Sequence, residues 1–110
     1  MLEASFAASA NFSMRIAGGD LVGPFEGREG IMSMYAGAME SQTDVRRHLV
    51  SNIFFDDAAT DTTVVSNLTL FATENGVTKL LCAGVYRDVV VLEEGVWKIL
   101  DRHLDLDAPH

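Results

Sequence analysis

The residue best suited to move a proton is His48, in the run Arg46-Arg47-His48-Leu49-Val50-Ser51-Asn52. A neutral imidazole titrates near pH 6.5 and can accept a carbon-bound or hydroxyl proton at neutral pH. A carboxylate on its second nitrogen would fix the tautomer and stabilise the imidazolium. The plainer use of the same residue is a strand histidine hydrogen-bonded to a neighbour, with no catalytic duty. Asn52 follows four residues later, and on a strand that spacing puts both side chains on one face. There its amide could orient a substrate carbonyl or hydroxyl, or make a structural hydrogen bond across the sheet.

A second constellation is Asp101-Arg102-His103-Leu104-Asp105-Leu106-Asp107. Asp101 and His103 are two apart and form the one acid–histidine pair visible in the sequence, a candidate substrate-binding pair. Trp97 and Ile99 have the same parity, so this face would turn from apolar to polar, as in a strand leaving the core. The acids around His103 resemble a metal cluster in composition, yet their spacing matches no ligand motif, and no metal is expected. Tyr86 and Asp88 would sit at a rim, Tyr86 as a substrate-orienting hydroxyl or as a core aromatic with a wet hydroxyl. Cys82, within Leu80-Leu81-Cys82-Ala83, reads as a buried inert thiol. No nucleophile elbow, phosphate loop or cofactor motif occurs, so no cofactor is expected.

The elements that must hold these residues follow from periodicity. Leu2–Ala8 reads as a short helical turn, and Asn11–Ala17 alternates as a half-buried strand. Gly18-Gly19-Asp20 and Gly23-Pro24 are turn signals, with Pro24 in a loop. From Gly27 to Met39 the spacing becomes helical, with Ile31, Met34, Tyr35, Ala38 and Met39 on one stripe. Four strands are then expected: Val45–Phe55, Thr62–Thr73, Val77–Leu92 and Val96–Leu106, the first two joined by the acidic turn Asp56–Asp61. Glu74-Asn75-Gly76 is a strong hairpin signal. Gly84, midway along the longest strand, suggests a bulge or sharp bend. Trp97, alternating with Ile99, is expected in the core. A helix followed by long antiparallel strands requires a bent sheet folded over that helix, with a pocket between them.

The chain has 110 residues, enough for one domain spanning 1–110 and too short for two. Hydrophobic residues make up 48 % of it, ample for a core. Eight basic residues against sixteen acidic ones give a formal charge of −8, which repels phosphate backbones and anionic headgroups and argues against nucleic-acid and membrane partners. The apolar runs are too short to span a bilayer, and the start lacks the basic region of a secretory signal; a cytoplasmic protein is the expectation. A helical layer covers one face of a sheet, so a homo-oligomer, a dimer in the first place, would cover the other.

Three stretches carry a resemblance to a known family. Gly84-Val85-Tyr86-Arg87-Asp88 followed by Gly95-Val96-Trp97-Lys98-Ile99 is similar to the closing hairpin of SnoaL-like domains, in the nuclear transport factor 2-like superfamily. Arg46-Arg47-His48-Leu49-Val50-Ser51-Asn52 resembles their R-H-x-x-S-N strand, and Gly27-Arg28-Glu29-Gly30-Ile31 the start of their helix. The resemblance covers roughly residues 10–107. It implies an α+β fold in which a cone-like curved antiparallel sheet, a meander of long strands, wraps around a helix and encloses a hydrophobic cavity. It also implies dehydratase, isomerase or cyclase chemistry in some members and a non-catalytic dioxygenase β subunit in others. Catalytic members carry an acid on a helical region before the first strand, and dehydratases pair it with a histidine at the place of His48. Before Phe12 the acid here is Glu3 alone, and the usual partner acid is missing from this stretch.

The expectation for function is therefore cofactor-independent lyase- or isomerase-type acid–base catalysis on a hydrophobic small molecule. His48 would be the acid–base group, and Asn52, Tyr86, Asp101 and His103 would contact the substrate. The alternative is a non-catalytic small-molecule-binding or assembly module with the same fold.

Overall fold

A computed structural model describes residues 3–40, 42–56 and 61–108. A turn of 3-10 helix, Glu3–Ser5, leads into β1 (Phe6–Ile16), β2 (Val22–Glu26), α1 (Gly27–Glu40), β3 (Val45–Phe55), β4 (Thr63–Glu74), β5 (Val77–Glu93) and β6 (Val96–Leu106). The six strands form one curved, unclosed sheet in the order β2-β1-β6-β5-β4-β3. All neighbours are antiparallel except β1 and β6, which run parallel. The architecture is the expected cone-like α+β fold, with a mixed rather than purely antiparallel sheet.

The helix and the four later strands lie where periodicity put them. The start differs. Phe6–Ala8, expected in a helical turn, begin β1, because β6 offers a parallel partner on which Phe6 stands level with Ile99. Pro24 lies inside β2 rather than in a loop. A proline is tolerated there because β2 is an edge strand, where an N–H need not bond outward. Leu2 and most of the acidic turn, residues 57–60, lie outside the described residues.

Asn75 and Gly76 both take positive φ, 53° and 75°. This is the two-residue turn that matches the right-handed twist of flanking strands, and Glu74 and Val77 pair directly across it. Gly84 marks no bulge. It is level with Leu106, and a Cβ there would collide with the backbone oxygen of Asp105. The glycine lets two strands approach, while the register shifts fall at Leu70/Phe71 and Val89/Val90.

The core forms where α1 packs on β1 and β2. Phe6, Phe12 and Ile31 are fully buried, and Tyr35 on α1 meets Phe12 edge-on at 5.8 Å between centroids. Of the helical stripe, Ile31, Met34 and Tyr35 reach the core, whereas Ala38 and Met39 are exposed, because the last turn of α1 runs past it.

Candidate functional site

The pairing register builds the inner face in level rows. Phe12, Arg102, Asp88 and Val64 form one row; Met14, Leu104, Tyr86 and Ser66 the next. Ile16, Leu106, Gly84, Leu68 and Val50 follow, then Cys82, Leu70 and His48. Directly opposed residues project to the same side of a sheet. Tyr86 and His48 therefore share the face that carries the core.

At the closed end of this face lies a buried polar cluster. Arg102 donates two hydrogen bonds to the Asp88 carboxylate, Nε to Oδ1 at 2.8 Å and Nη2 to Oδ2 at 3.0 Å. Its guanidinium lies 4.1 Å from the centroid of the Tyr86 ring and 5.9 Å from that of Phe6, within the range of a cation–π contact. Burial pushes the Tyr86 pKa up to about 12, with the Arg102 charge opposing it. Burial also raises that of Tyr35, against the charge of Arg102 and a hydrogen bond from it. For Arg102 burial acts downward, but the hydrogen bonds and charge of Asp88 win and its pKa rises. The pair is thus mutually satisfied, and both phenols stay protonated at neutral pH. Cys82 is buried, and burial raises its thiol pKa.

His48 stands at the other end. Its strand is the sheet edge, and its side chain is exposed although it lies on the inner face. Asp88 lies six residues along β5 from Cys82, the residue in the row of His48, or roughly 20 Å at strand rise. Asp20 belongs to the turn beside the opposite edge of the sheet. Asn52 does not simply continue the face of His48: the β3–β4 register shifts between Ser51 and Phe54, and Asn52 takes φ 50° within the irregularity.

Asp101 and His103 lie on the other face. The pairing slips between Val89 and Val90, so Val89 faces Asp101 while Val90 faces Ile99, and Leu100 is the extra residue on β6. A one-residue slip flips every later side chain. Ile99 and Trp97 therefore share the inner face with Arg102 and Leu104, while Asp101, His103 and Asp105 point outward. Neither Asp101 nor His103 is level with a residue of the inner face. The same slip places Trp97 on the open stretch of the inner face, where it is 59 % exposed rather than buried. On the outer face His103 pairs not with Asp101 but with two other groups. Its Nδ1 is 2.8 Å from Ser13 Oγ, and its Nε2 is 3.0 Å from Asp105 Oδ1.

Reading the sequence alone missed Arg102, Tyr35 and Ser13. Arg102 looked like an ordinary charge between two acids. Its alternation with Leu104 and Leu106, both buried, was the available signal. Among the described residues no group of three or more metal-ligating side chains is present, and no helix is long and apolar enough to cross a membrane.

A comparison with curated proteins gives no significant match. Solved structures do match. The chain aligns over 98 % of its length with 75 % of a Novosphingobium aromaticivorans protein assigned as the β subunit of an aromatic-ring-hydroxylating dioxygenase, at TM-score 0.80 and 17 % identity. It is similar to a Catenulispora acidiphila protein solved in complex with S-DNPA, with TM-score 0.79, 21 % identity and 96 % and 75 % of the two chains covered. Against Aln2 from a Streptomyces species the TM-score is 0.70 and the identity 28 %, over 96 % and 74 % of the two chains. The model of the SnoaL-like domain matches residues 1–103. With the bent sheet, the helix across its closed end and the level rows of the inner face, this chain belongs to the SnoaL-like domain family, within the nuclear transport factor 2-like fold.

Proposed function

We propose that the inner face takes up a hydrophobic small molecule bearing a carbonyl or hydroxyl group. Proton transfer of the lyase or isomerase kind at His48, without a cofactor, is the chemistry performed there. The observation that carries this reading is the layout of the face. Apolar rows form its floor, the Tyr86 hydroxyl is a donor that stays protonated because burial pushes its pKa up to about 12, and a titratable imidazole stands at the open end. A neutral phenol in a low-dielectric site can donate a hydrogen bond to a ligand's carbonyl or hydroxyl oxygen. An imidazole exposed to both ligand and water can take a proton and return it. The Catenulispora acidiphila neighbour, solved with S-DNPA, is a precedent for ligand binding on this fold.

The test is solvent deuterium exchange at the α-carbon of a panel of hydrophobic ketones, followed by NMR, with affinity measured in parallel by calorimetry. The native chain should exchange the bound ketone about 10²–10⁴-fold faster than His48→Ala, and Tyr86→Phe should weaken binding. Absence of ketone binding to the native chain would sink the whole reading. Binding without exchange in either protein would leave a carrier and remove the catalytic part.

A specific observation favours a second role in assembly. Leu49 and Phe54 of β3 and Leu80 of β5 are level with outward residues of β4 and are all more than half exposed, which puts apolar surface of the kind that marks an interaction site on the outer face. A second copy of the chain is the partner proposed for it. Sedimentation at micromolar concentration should show a dimer that Phe54→Glu weakens; a purely monomeric native chain would rule this role out.

A further inference from the structure

We infer that Ser13, His103 and Asp105 form a hydrolytic site for small activated carboxylic esters on the outer face of the sheet. It lies on the opposite side from the proposed ligand face and does not depend on that reading. Ser13 and His103 are level partners on the parallel strands β1 and β6, and Asp105 lies two residues further along β6. The hydrogen bonds run in series, Ser13 Oγ to His103 Nδ1 at 2.8 Å and His103 Nε2 to Asp105 Oδ1 at 3.0 Å. A carboxylate only accepts, so Asp105 selects the tautomer with hydrogen on Nε2. Nδ1 then carries the lone pair and accepts from the Ser13 hydroxyl. This is the order needed for an activated nucleophile: hydroxyl, base, and an acid that orients the base.

Two further features suit the site to chemistry. All three residues sit on strands in the interior of the sheet, which holds them more rigidly than loops would. They are also reachable, with 26 % of the His103 side chain and 59 % of that of Asp105 exposed. Arg87 is level with His103 on β5, and its Nη1 donates to Asp56 Oδ2 at 2.6 Å. Arg15, two residues along β1 from Ser13 and level with Asp105, is a second cation on this face.

The reaction balances with water as the sole co-reactant. Ser13 Oγ bonds to the ester carbonyl carbon as its proton passes to His103 Nδ1. The carbon–alkoxy bond breaks, and the alcohol leaves with that proton. Water then attacks the acyl-Ser13 carbonyl and gives a proton to His103. The Ser13 oxygen–carbon bond breaks, Ser13 recovers the proton, and the carboxylic acid departs. Backbone N–H groups of these strands serve the ladder rather than an oxyanion. The gain should therefore be that of a nucleophile with its general base, about 10²–10⁴-fold over buffer.

The probe is 4-nitrophenyl acetate. The native chain should release nitrophenolate faster than buffer, and peptide mass spectrometry after an acid quench should find the acetyl group on Ser13. Ser13→Ala and His103→Asn should each lose at least about 10-fold of the release above buffer. Asp105, as a positioning residue, should lower kcat with KM unchanged when altered to Asn. Ser13→Cys keeps a nucleophile at the same place and should carry the acetyl group itself, which distinguishes lost chemistry from lost fold. Native-rate release by Ser13→Ala, or an acetyl group found on lysines with none on residue 13, would overturn the inference.

Discussion

Two regions of one sheet, built from similar residues, end in opposite environments. Beneath α1, Phe6 and Phe12 of β1 are buried, and with them Tyr86, Leu104 and Leu106 of β5 and β6. At the far edge β3 is at least as apolar, with Leu49, Val50, Ile53, Phe54 and Phe55, and every one of these is exposed. The difference is coverage. α1 packs on β1 and β2, and a single helix of fourteen residues, about 21 Å long, cannot also roof the other edge. The closed end holds its polar groups in a satisfied Asp88–Arg102 pair. The open end leaves His48 and an apolar strand exposed at the sheet edge. Closure supplies stability, and its absence supplies access.

The contrast can be broken most sharply at its closed end. Arg102→Ala would leave the Asp88 carboxylate buried without its partner, and should cost about 3–5 kcal/mol in urea melts. A loss below about 1 kcal/mol would mean that water reaches Asp88 and the end is not closed. Phe12→Ala should likewise cost about 3–5 kcal/mol, against under about 1 kcal/mol for Phe55→Ala in the monomer. Equal costs would erase the difference between the two regions.

The next effect is alkaline. Burial lifts Tyr86 from 10.0 to about 12, so the native state keeps a proton that the unfolded chain has lost between those values. Stability should fall as pH rises through that window, by on the order of 2–3 kcal/mol. Below pH 10 the contribution is fully present. Tyr86→Phe should flatten this fall relative to the native chain; an unchanged profile would show that the hydroxyl is solvated. The smallest effect belongs to Trp97, whose exposed ring on the open stretch should make Trp97→Ala cost under about 1 kcal/mol. A loss of core size would place the ring under cover.

Much of this contrast was legible in the chain and some of it was not. Local signals act over a few residues, and they located α1 and β3 to β6 closely because helical spacing, β-branched runs and the Asn75-Gly76 turn need no distant partner. The same signals put His48 on a strand, while the β3–β4 register made Leu70 its level neighbour. Site geometry failed where it depended on a slip. The outward turn of Asp101 and His103 follows from one extra residue, Leu100, taken up by the β5–β6 pairing, whereas Trp97 is exposed because its stretch of the inner face has no cover. Nothing local to Ile99-Leu100-Asp101 marks that slip.

The sequence by itself determined the α+β class, the family resemblance and which stretches seek burial, since these rest on periodicity and composition. Only the tertiary structure decided which burial was granted, which face each candidate took, and that Ser13 meets His103 across 90 positions. The physical reason is that strand register and helix coverage arise from contacts between distant segments. A shift of one residue there reverses every side chain beyond it.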